Sequence, residues 1–123
     1  MALVACRRRA AVLVVEDEPL ILWVALVMVA DAGFEAVGAA DADEAIQILE
    51  SRDDIRVVFT DINMPGSMDG VKLAHAVRGR WPPLKIIVTS ALAPERELPA
   101  GSVFLPKPYN PHHVWKTLQD LAA

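Results

Sequence analysis

Residues 11–19 of the chain read AVLVVEDEP. The first five of them, Ala11–Val15, are apolar without interruption, which is typical of a strand that is buried on both faces of a parallel sheet. Three acidic residues end the apolar run, and Pro19 suits the first turn of a helix. The stretch therefore predicts a strand, an acidic turn and a helix, which is how an α/β domain begins.

The same alternation continues along the rest of the chain. Apolar runs rich in β-formers predict four further strands, at residues 34–39, 55–60, 84–88 and 103–105. Apolar residues at helical spacing predict helices over residues 19–32, from 42, through 73–81 and from 111. Gly33 supplies a left-handed stop for the first helix, and Asp41 with Glu44 forms a capping box for the second.

This order of elements predicts one α/β domain. Parallel strands joined by helices cross over with a right hand, so the pattern favours a flavodoxin-like, doubly wound, five-stranded parallel sheet of order 2-1-3-4-5. Ser90 and Lys107 are only 17 positions apart, and Pro94, Pro99 and Gly101 lie between them. Because a parallel crossover takes about a dozen residues or more, the fourth helix is expected to be shortened or missing, with at most one turn at residues 95–98.

Length and composition limit the function further. The chain has 123 residues, is 54% hydrophobic and carries a net charge of −4, which fits one folded domain at residues 11–122 after an N-terminal extension at residues 1–10. Nucleic acid and anionic membranes are not expected as partners, because both are bound through Lys and Arg. The longest apolar run, residues 20–30, is too short to span a bilayer, and the first residues lack the charge order of a secretory signal. A cytoplasmic location is expected.

Three carboxylates are expected at one edge of the sheet. Glu16 and Asp17 follow the first strand and Asp61 follows the third, and ligands of such sheets bind between these two strands, beyond their carboxyl ends. An isolated acidic residue here is commonly a solvated charge. Three together repel one another, so the site needs a hard cation, protonation or both. Oxygen ligands without His or Cys favour Mg²⁺.

Polar groups from the fourth and fifth strands are expected at the same edge. Lys107 lies between two prolines just after the fifth strand, where its ammonium can pair with Asp61 or with an anionic phosphoryl group. Thr89 and Ser90 end the fourth strand, and either hydroxyl could donate into the crevice. Each of these residues also has an ordinary interpretation, as a surface lysine or a strand-end hydroxyl.

Four motifs in this order resemble a response-regulator receiver domain of two-component signalling. They are VLVVEDEP at 12–19, FTDINMPG at 59–66, IIVTSA at 86–91 and FLPKPY at 104–109. The resemblance covers about residues 11–122.

The resemblance assigns roles to individual residues. It implies that Asp61 is the phosphoacceptor and that Lys107 binds the phosphoryl group. The switch hydroxyl would be Ser90, or Thr89 if the fourth strand begins one residue earlier, and Phe104 would be the switch aromatic. The Mg²⁺ ligands would be Glu16, Asp17, Asp61 and the backbone carbonyl of Asn63.

The function implied is that of a phosphoacceptor rather than of an enzyme with a separate substrate. A histidine kinase or a histidine phosphotransfer protein would supply the phosphoryl group, and a conformational switch would signal to an unknown downstream protein. The domain would assist its own phosphotransfer and dephosphorylation. The alternative is an interaction module of the same fold that works without phosphorylation.

Two other functions fit the residues less well. An FMN-binding protein of this fold would place a phosphate beside Glu16 and Asp17, which would repel it. A phosphatase of the haloacid-dehalogenase type expects a second aspartate two residues after the first, where this chain has Asn63.

Overall fold

The computed structural model describes residues 10–64, 66 and 68–122. Except for Ala10, the predicted N-terminal extension lies outside the described residues. The elements are β1 (Ala11–Val15), α1 (Pro19–Asp31), β2 (Glu35–Ala39), α2 (Ala42–Ser51), β3 (Ile55–Asp61), α3 (Gly70–Arg80), β4 (Lys85–Ser90), β5 (Val103–Pro106) and α4 (Pro111–Ala122).

The five strands form one sheet in the order β2-β1-β3-β4-β5, and every neighbouring pair is parallel. Helices α2 and α3 pack on one face of this sheet, and α1 and α4 pack on the other. The flavodoxin-like, doubly wound fold predicted from the sequence is confirmed. All carboxyl ends of the strands therefore meet at one edge.

The helix ends follow the predicted local signals. Asp41 caps α2 by accepting a hydrogen bond from the backbone N–H of Glu44 at 2.9 Å, and the Glu44 carboxylate accepts one from Ala40 N at 2.7 Å. Gly33 has φ +98°, a left-handed conformation that disfavours a side chain, and it follows the end of α1. The capping box and the glycine stop are thus both present.

Three predicted strands end one or two residues too early. Strand β3 includes Asp61, β4 reaches Ser90 and β5 reaches Pro106, because Asp61 pairs with Thr89 and Ser90 pairs with Pro106 in the parallel ladder. Asp61, Thr89 and Ser90 are consequently held by the sheet itself, whereas Glu16, Asp17 and Lys107 lie directly after strands.

Helix α1 has an apolar outer face. Its residues Ala25 and Val29 are buried against the sheet, whereas Trp23 is 63% exposed and Leu20, Val24 and Val27 are also exposed. The apolar character of this helix on all sides, evident in the sequence, is therefore not explained by burial.

The segment between β4 and β5, residues 91–102, is here called the strap. All of its residues are described, and none of them is helical, so the predicted fourth helix is missing rather than shortened. Helix α3 holds the strap through backbone oxygens: His75 Nε2 lies 2.8 Å from the oxygen of Glu97, and Arg78 Nε donates to that of Ala100 at 3.1 Å. Hydrogen bonds from α3, together with Leu98 packed against the core, thus hold the strap where at most one helical turn was expected.

Among the described residues, no helix is both long enough and apolar enough to span a membrane.

Candidate functional site

The acidic cluster lies where β1 and β3 end. Val15 pairs with Thr60 in the ladder, so Glu16 and Asp61 occupy the next positions on neighbouring strands. Both side chains are buried, while Asp17 is exposed. One carboxylate oxygen from each of Glu16, Asp17 and Asp61 lies within 4.8 Å of the others. The structure thus brings the three predicted carboxylates together.

Two hydrogen bonds hold the backbone at Asp61 and Ile62. The hydroxyl of Thr60 donates to the carbonyl oxygen of Asp61 at 2.9 Å. Gly70, the first residue of α3, donates its N–H to the carbonyl oxygen of Ile62 at 2.9 Å. A Cβ atom on Gly70 would lie 1.9 Å from the Asp61 oxygen, so only glycine fits there.

Lys107 joins the cluster from β5. Its Nζ lies 3.1 Å from Glu16 Oε2 and 3.4 Å from Asp61 Oδ2. The backbone N–H of Lys107 donates to the backbone carbonyl oxygen of Ser90 at 2.9 Å, and this bond holds Lys107 against the end of β4. The ammonium therefore bridges the two buried carboxylates.

Burial and charge shift two pKa values in this cluster. Burial raises the pKa of Glu16, and the negative charge of Asp61 raises it further, against the lowering effect of the Lys107 hydrogen bond. Burial would lower the pKa of Lys107, but the hydrogen bond to Glu16 and the charge of Asp61 raise it above its usual value. Lys107 therefore stays protonated, and the three carboxylates remain close enough to repel one another.

The donor set fits a divalent metal ion. Three carboxylates face one ammonium group, so the cluster is short of positive charge when all are ionised. The ligand atoms are hard oxygens, without sulfur or imidazole, which matches the preference of Mg²⁺. Burial is the main cause of the raised pKa of Glu16, and the negative charge of Asp61 adds to it.

The two strand-end hydroxyls have different surroundings. Ser90 Oγ accepts hydrogen bonds from Asn63 Nδ2 at 3.4 Å and from the backbone N–H of Leu92 at 3.3 Å. Thr89 is buried, and its Oγ1 has no hydrogen-bond partner among the described residues. Phe104 is half-buried in β5, opposite Val88 of β4.

Tyr109 was missed from the sequence. Its ring packs against Phe59 with centroids 5.4 Å apart, and burial raises the pKa of its hydroxyl. Together with Lys107 it lines an apolar groove of about 420 Å³, whose other wall is α1. The one sequence feature that could have indicated a place near the site is its position two residues after Lys107.

Asp69 and Arg96 were also missed. The Arg96 guanidinium of the strap donates to the Asp69 carboxylate, which also caps α3 by accepting from Lys72 N at 3.0 Å. The two residues are 27 positions apart, so no local pattern connects them. Through this pair the strap is anchored beside the loop that follows Asp61.

Known proteins are similar to this chain in sequence and fold. The family model of the response regulator receiver domain matches residues 12–119. The chain is 32% identical over 118 residues to the sensor kinase CckA of Brucella abortus, with 91% of this chain and 12% of that protein covered. It is 33% identical over 119 residues to the hydrogenase transcriptional regulatory protein HoxA of Cupriavidus necator, with 92% and 24% covered.

A solved structure agrees with these matches. The response regulator TrrA of Thermotoga maritima, in complex with Mg²⁺-BeF, has a TM-score of 0.80 and 27% identity, with 90% of this chain and 97% of that chain covered.

The chain belongs to the response regulator receiver domain family. It is a receiver domain of two-component systems, a signalling domain with an acidic pocket at the carboxyl edge of its sheet. It spans a quarter or less of the length of the two curated relatives.

Proposed function

We propose that residues 11–122 form a receiver that takes a phosphoryl group onto Asp61 from a phosphohistidine. The donor is a histidine kinase or a histidine phosphotransfer protein. The observation that carries the proposal is the placement of Asp61: it ends a central strand, its carboxylate pairs with Lys107, and two further carboxylates stand beside it. A nucleophilic carboxylate next to a fixed cation suits phosphoryl transfer, which is catalysed largely by positioning and charge.

The proposed transfer is a displacement at phosphorus. An oxygen of the Asp61 carboxylate forms the new O–P bond while the P–N bond to the partner's imidazole breaks. The electron pair of that bond leaves with the imidazole, which takes up a proton. Lys107, already 3.4 Å from Asp61 Oδ2, is placed to bind a phosphoryl oxygen as negative charge arrives. Loss of the phosphoryl group to water would be assisted by the same residues, without a separate substrate.

We infer that Mg²⁺ is held by Glu16, Asp17, Asp61 and the backbone carbonyl of Asn63. When bound, the ion would neutralise charge on the phosphoryl oxygens. Asp17 is the residue to test, because its side chain is exposed and its loss should leave the fold intact. Calorimetric titration should show weak Mg²⁺ binding to the wild type and much less to Asp17→Asn. A flat titration of the folded wild type at millimolar Mg²⁺ would contradict the inference.

We propose Ser90 as the switch hydroxyl, with Phe104 as the switch aromatic. Ser90 Oγ now holds the backbone N–H of Leu92, the second residue of the strap, and the amide of Asn63. A phosphoryl group adds close to two negative charges and strong acceptors, which can draw this hydroxyl away. The strap would then lose a contact at its first turn, and that change would signal to the downstream protein.

The outer face of α1 supports a protein as the phosphoryl donor. The amino-terminal end of this helix, at Leu20, Ile21 and Val24, shares the apolar groove with Lys107. A protein that brings its phosphohistidine to Asp61 must approach this edge of the sheet. Exposed apolar residues next to the site give such a donor a surface to bind.

Intact-mass spectrometry after incubation with acetyl phosphate and Mg²⁺ tests the proposed function. The wild type should gain the mass of one phosphoryl group, and Asp61→Asn should gain none, because a neutral amide is a poor nucleophile. No mass gain by the folded wild type would favour an interaction module that works without phosphorylation. Peptide mapping of the phosphoryl group to another residue would exclude Asp61 as the acceptor.

A further inference from the structure

Thr89 carries a buried hydroxyl that the fold does not use. The residue is 2% exposed, and its Oγ1 has no hydrogen-bond partner among the described residues. Buried side-chain hydroxyls are nearly always paired, because an unpaired one has given up its bonds to water without replacement. We therefore expect the Thr89 hydroxyl to have a hydrogen-bond acceptor in another state of the protein.

The sheet places this hydroxyl beside Asp61. The two residues are directly paired between β3 and β4, and paired residues of neighbouring parallel strands lie about 4.8 Å apart with their side chains on the same face. Two residues earlier, Phe59 pairs with Ile87, and both pack in the core under α1 and α4. Asp61 and Thr89 continue this row to the edge. Ser90, the next residue of β4, reaches the same edge from the other face, where its Oγ contacts Asn63.

A second threonine shows the contrast. Thr60 is also buried, in the strand next to Thr89, but its hydroxyl donates to the carbonyl oxygen of Asp61 at 2.9 Å. The sheet thus satisfies one of these two threonines and leaves the other without an acceptor.

We propose that Thr89 is a positioning residue that donates a hydrogen bond to the carboxylate of Asp61 once that residue is phosphorylated. Asp61 Oδ2 now has Lys107 at 3.4 Å. After transfer, one Asp61 oxygen is bonded to phosphorus, and the new phosphoryl oxygens compete for the lysine. The remaining Asp61 oxygen then needs a donor, and Thr89 is the residue paired with Asp61 on the neighbouring strand. This inference rests on the proposed phosphoryl transfer to Asp61.

Thr89→Val tests the proposal, because it removes the hydroxyl and keeps the shape. Without a phosphoryl analogue, its thermal midpoint should equal or exceed that of the wild type, since no hydrogen bond is lost. Thr60→Val is the matched control, and its midpoint should fall because it loses a bond that is made. With Mg²⁺ and beryllofluoride, Thr89→Val should bind the analogue about tenfold more weakly, the effect of one hydrogen bond to a charged group. Thr89→Ser should restore the affinity to within about threefold of the wild type.

The outcomes separate this inference from the proposed function. A thermal midpoint of Thr89→Val that falls as far as that of Thr60→Val would overturn the inference, because the hydroxyl would then have a structural partner. Equal beryllofluoride affinity of Thr89→Val and the wild type would overturn it as well, while leaving phosphoryl transfer intact. A wild type that neither binds beryllofluoride nor reacts with acetyl phosphate would overturn both.

Discussion

Gly70 decides how closely α3 can approach the backbone of Asp61. Its missing side chain lets the first turn of the helix rest against the end of β3, where a Cβ atom would overlap the Asp61 carbonyl oxygen. Gly79 lies in the same helix but would meet no atom within 4 Å if a Cβ were added. The two glycines form a natural pair for experiment.

Gly70→Ala should lower the free energy of unfolding by about 1–3 kcal/mol, because backbone must move to admit the methyl group. Gly79→Ala should raise it by up to about 1 kcal/mol, the gain from replacing a helical glycine. Urea unfolding followed by circular dichroism measures both values. Equal effects of the two substitutions would show that α3 does not pack on Asp61 as described.

Lys107 balances two buried carboxylates. Lys107→Met keeps the aliphatic stem but removes the charge that Glu16 and Asp61 share, so the free energy of unfolding should fall by about 1–3 kcal/mol. This figure is discounted for the 20% of the side chain that remains exposed. Millimolar Mg²⁺ should restore part of the loss, because it supplies positive charge to the same carboxylates.

Lys116→Met is the control for this prediction. Lys116 is 65% exposed and 3.9 Å from Asp120, so its loss should change stability by less than about 0.5 kcal/mol, with no response to Mg²⁺. If both lysine variants lose the same amount of stability in urea, the proposed balance of charge is wrong.

Asp69 joins the start of α3 to the strap. Burial would raise its pKa, but the backbone N–H of Lys72 and the guanidinium of Arg96 lower the pKa below its usual value of 3.8. A lowered pKa means that the ionised carboxylate stabilises the fold. This contribution is complete above the unfolded pKa of 3.8 and disappears as the pH falls through the folded value.

Asp69→Asn should therefore be less stable than the wild type at pH 7, by about 0.5–1.5 kcal/mol, since asparagine keeps the cap and loses the ion pair. The difference should shrink as the pH falls below 4, which thermal unfolding across pH measures. Asp41→Asn, at the cap of α2, is the control and should cost less, because Asn and Asp cap about equally well. A difference between wild type and Asp69→Asn that does not change with pH would contradict the assignment.

The strap also shows where prediction from sequence ends. The strands were predictable because uninterrupted apolar runs such as Ala11–Val15 are typical of buried strands. The positions of Asp61 and Lys107 were predictable because each follows an apolar run, and the carboxyl ends of parallel strands lie at the same edge of the sheet. His75 is exposed on α3, and its ring contacts the strap 22 positions away. Its partner is a backbone oxygen, which every residue carries, so no sequence pattern marks the contact.

The apolar face of α1 lies next to the acidic cluster. Trp23→Gln should change stability by no more than about 0.5 kcal/mol, because the side chain is 63% exposed. It should leave phosphorylation by acetyl phosphate unchanged, since this small donor needs no binding surface. Phosphotransfer from a histidine kinase that phosphorylates the wild type should slow about tenfold, as expected for loss of an aromatic anchor.

Trp115→Gln is the matched control for the α1 surface. Trp115 is 47% exposed on α4, and its replacement should leave both rates near those of the wild type. Radiolabel transfer and intact mass report the two rates. Equal slowing by the two tryptophan variants, or normal kinase transfer to Trp23→Gln, would place the donor surface elsewhere.

The way the strap is fastened also determines how freely its sequence can vary. His75 and Arg78 bond to main-chain oxygens of the strap, which remain when the side chains of Glu97 and Ala100 are exchanged. Replacements at these two exposed positions therefore leave the fastening in place. An engineer could install a new recognition sequence there, and natural selection could change partners there, without altering the sheet that carries the acidic cluster.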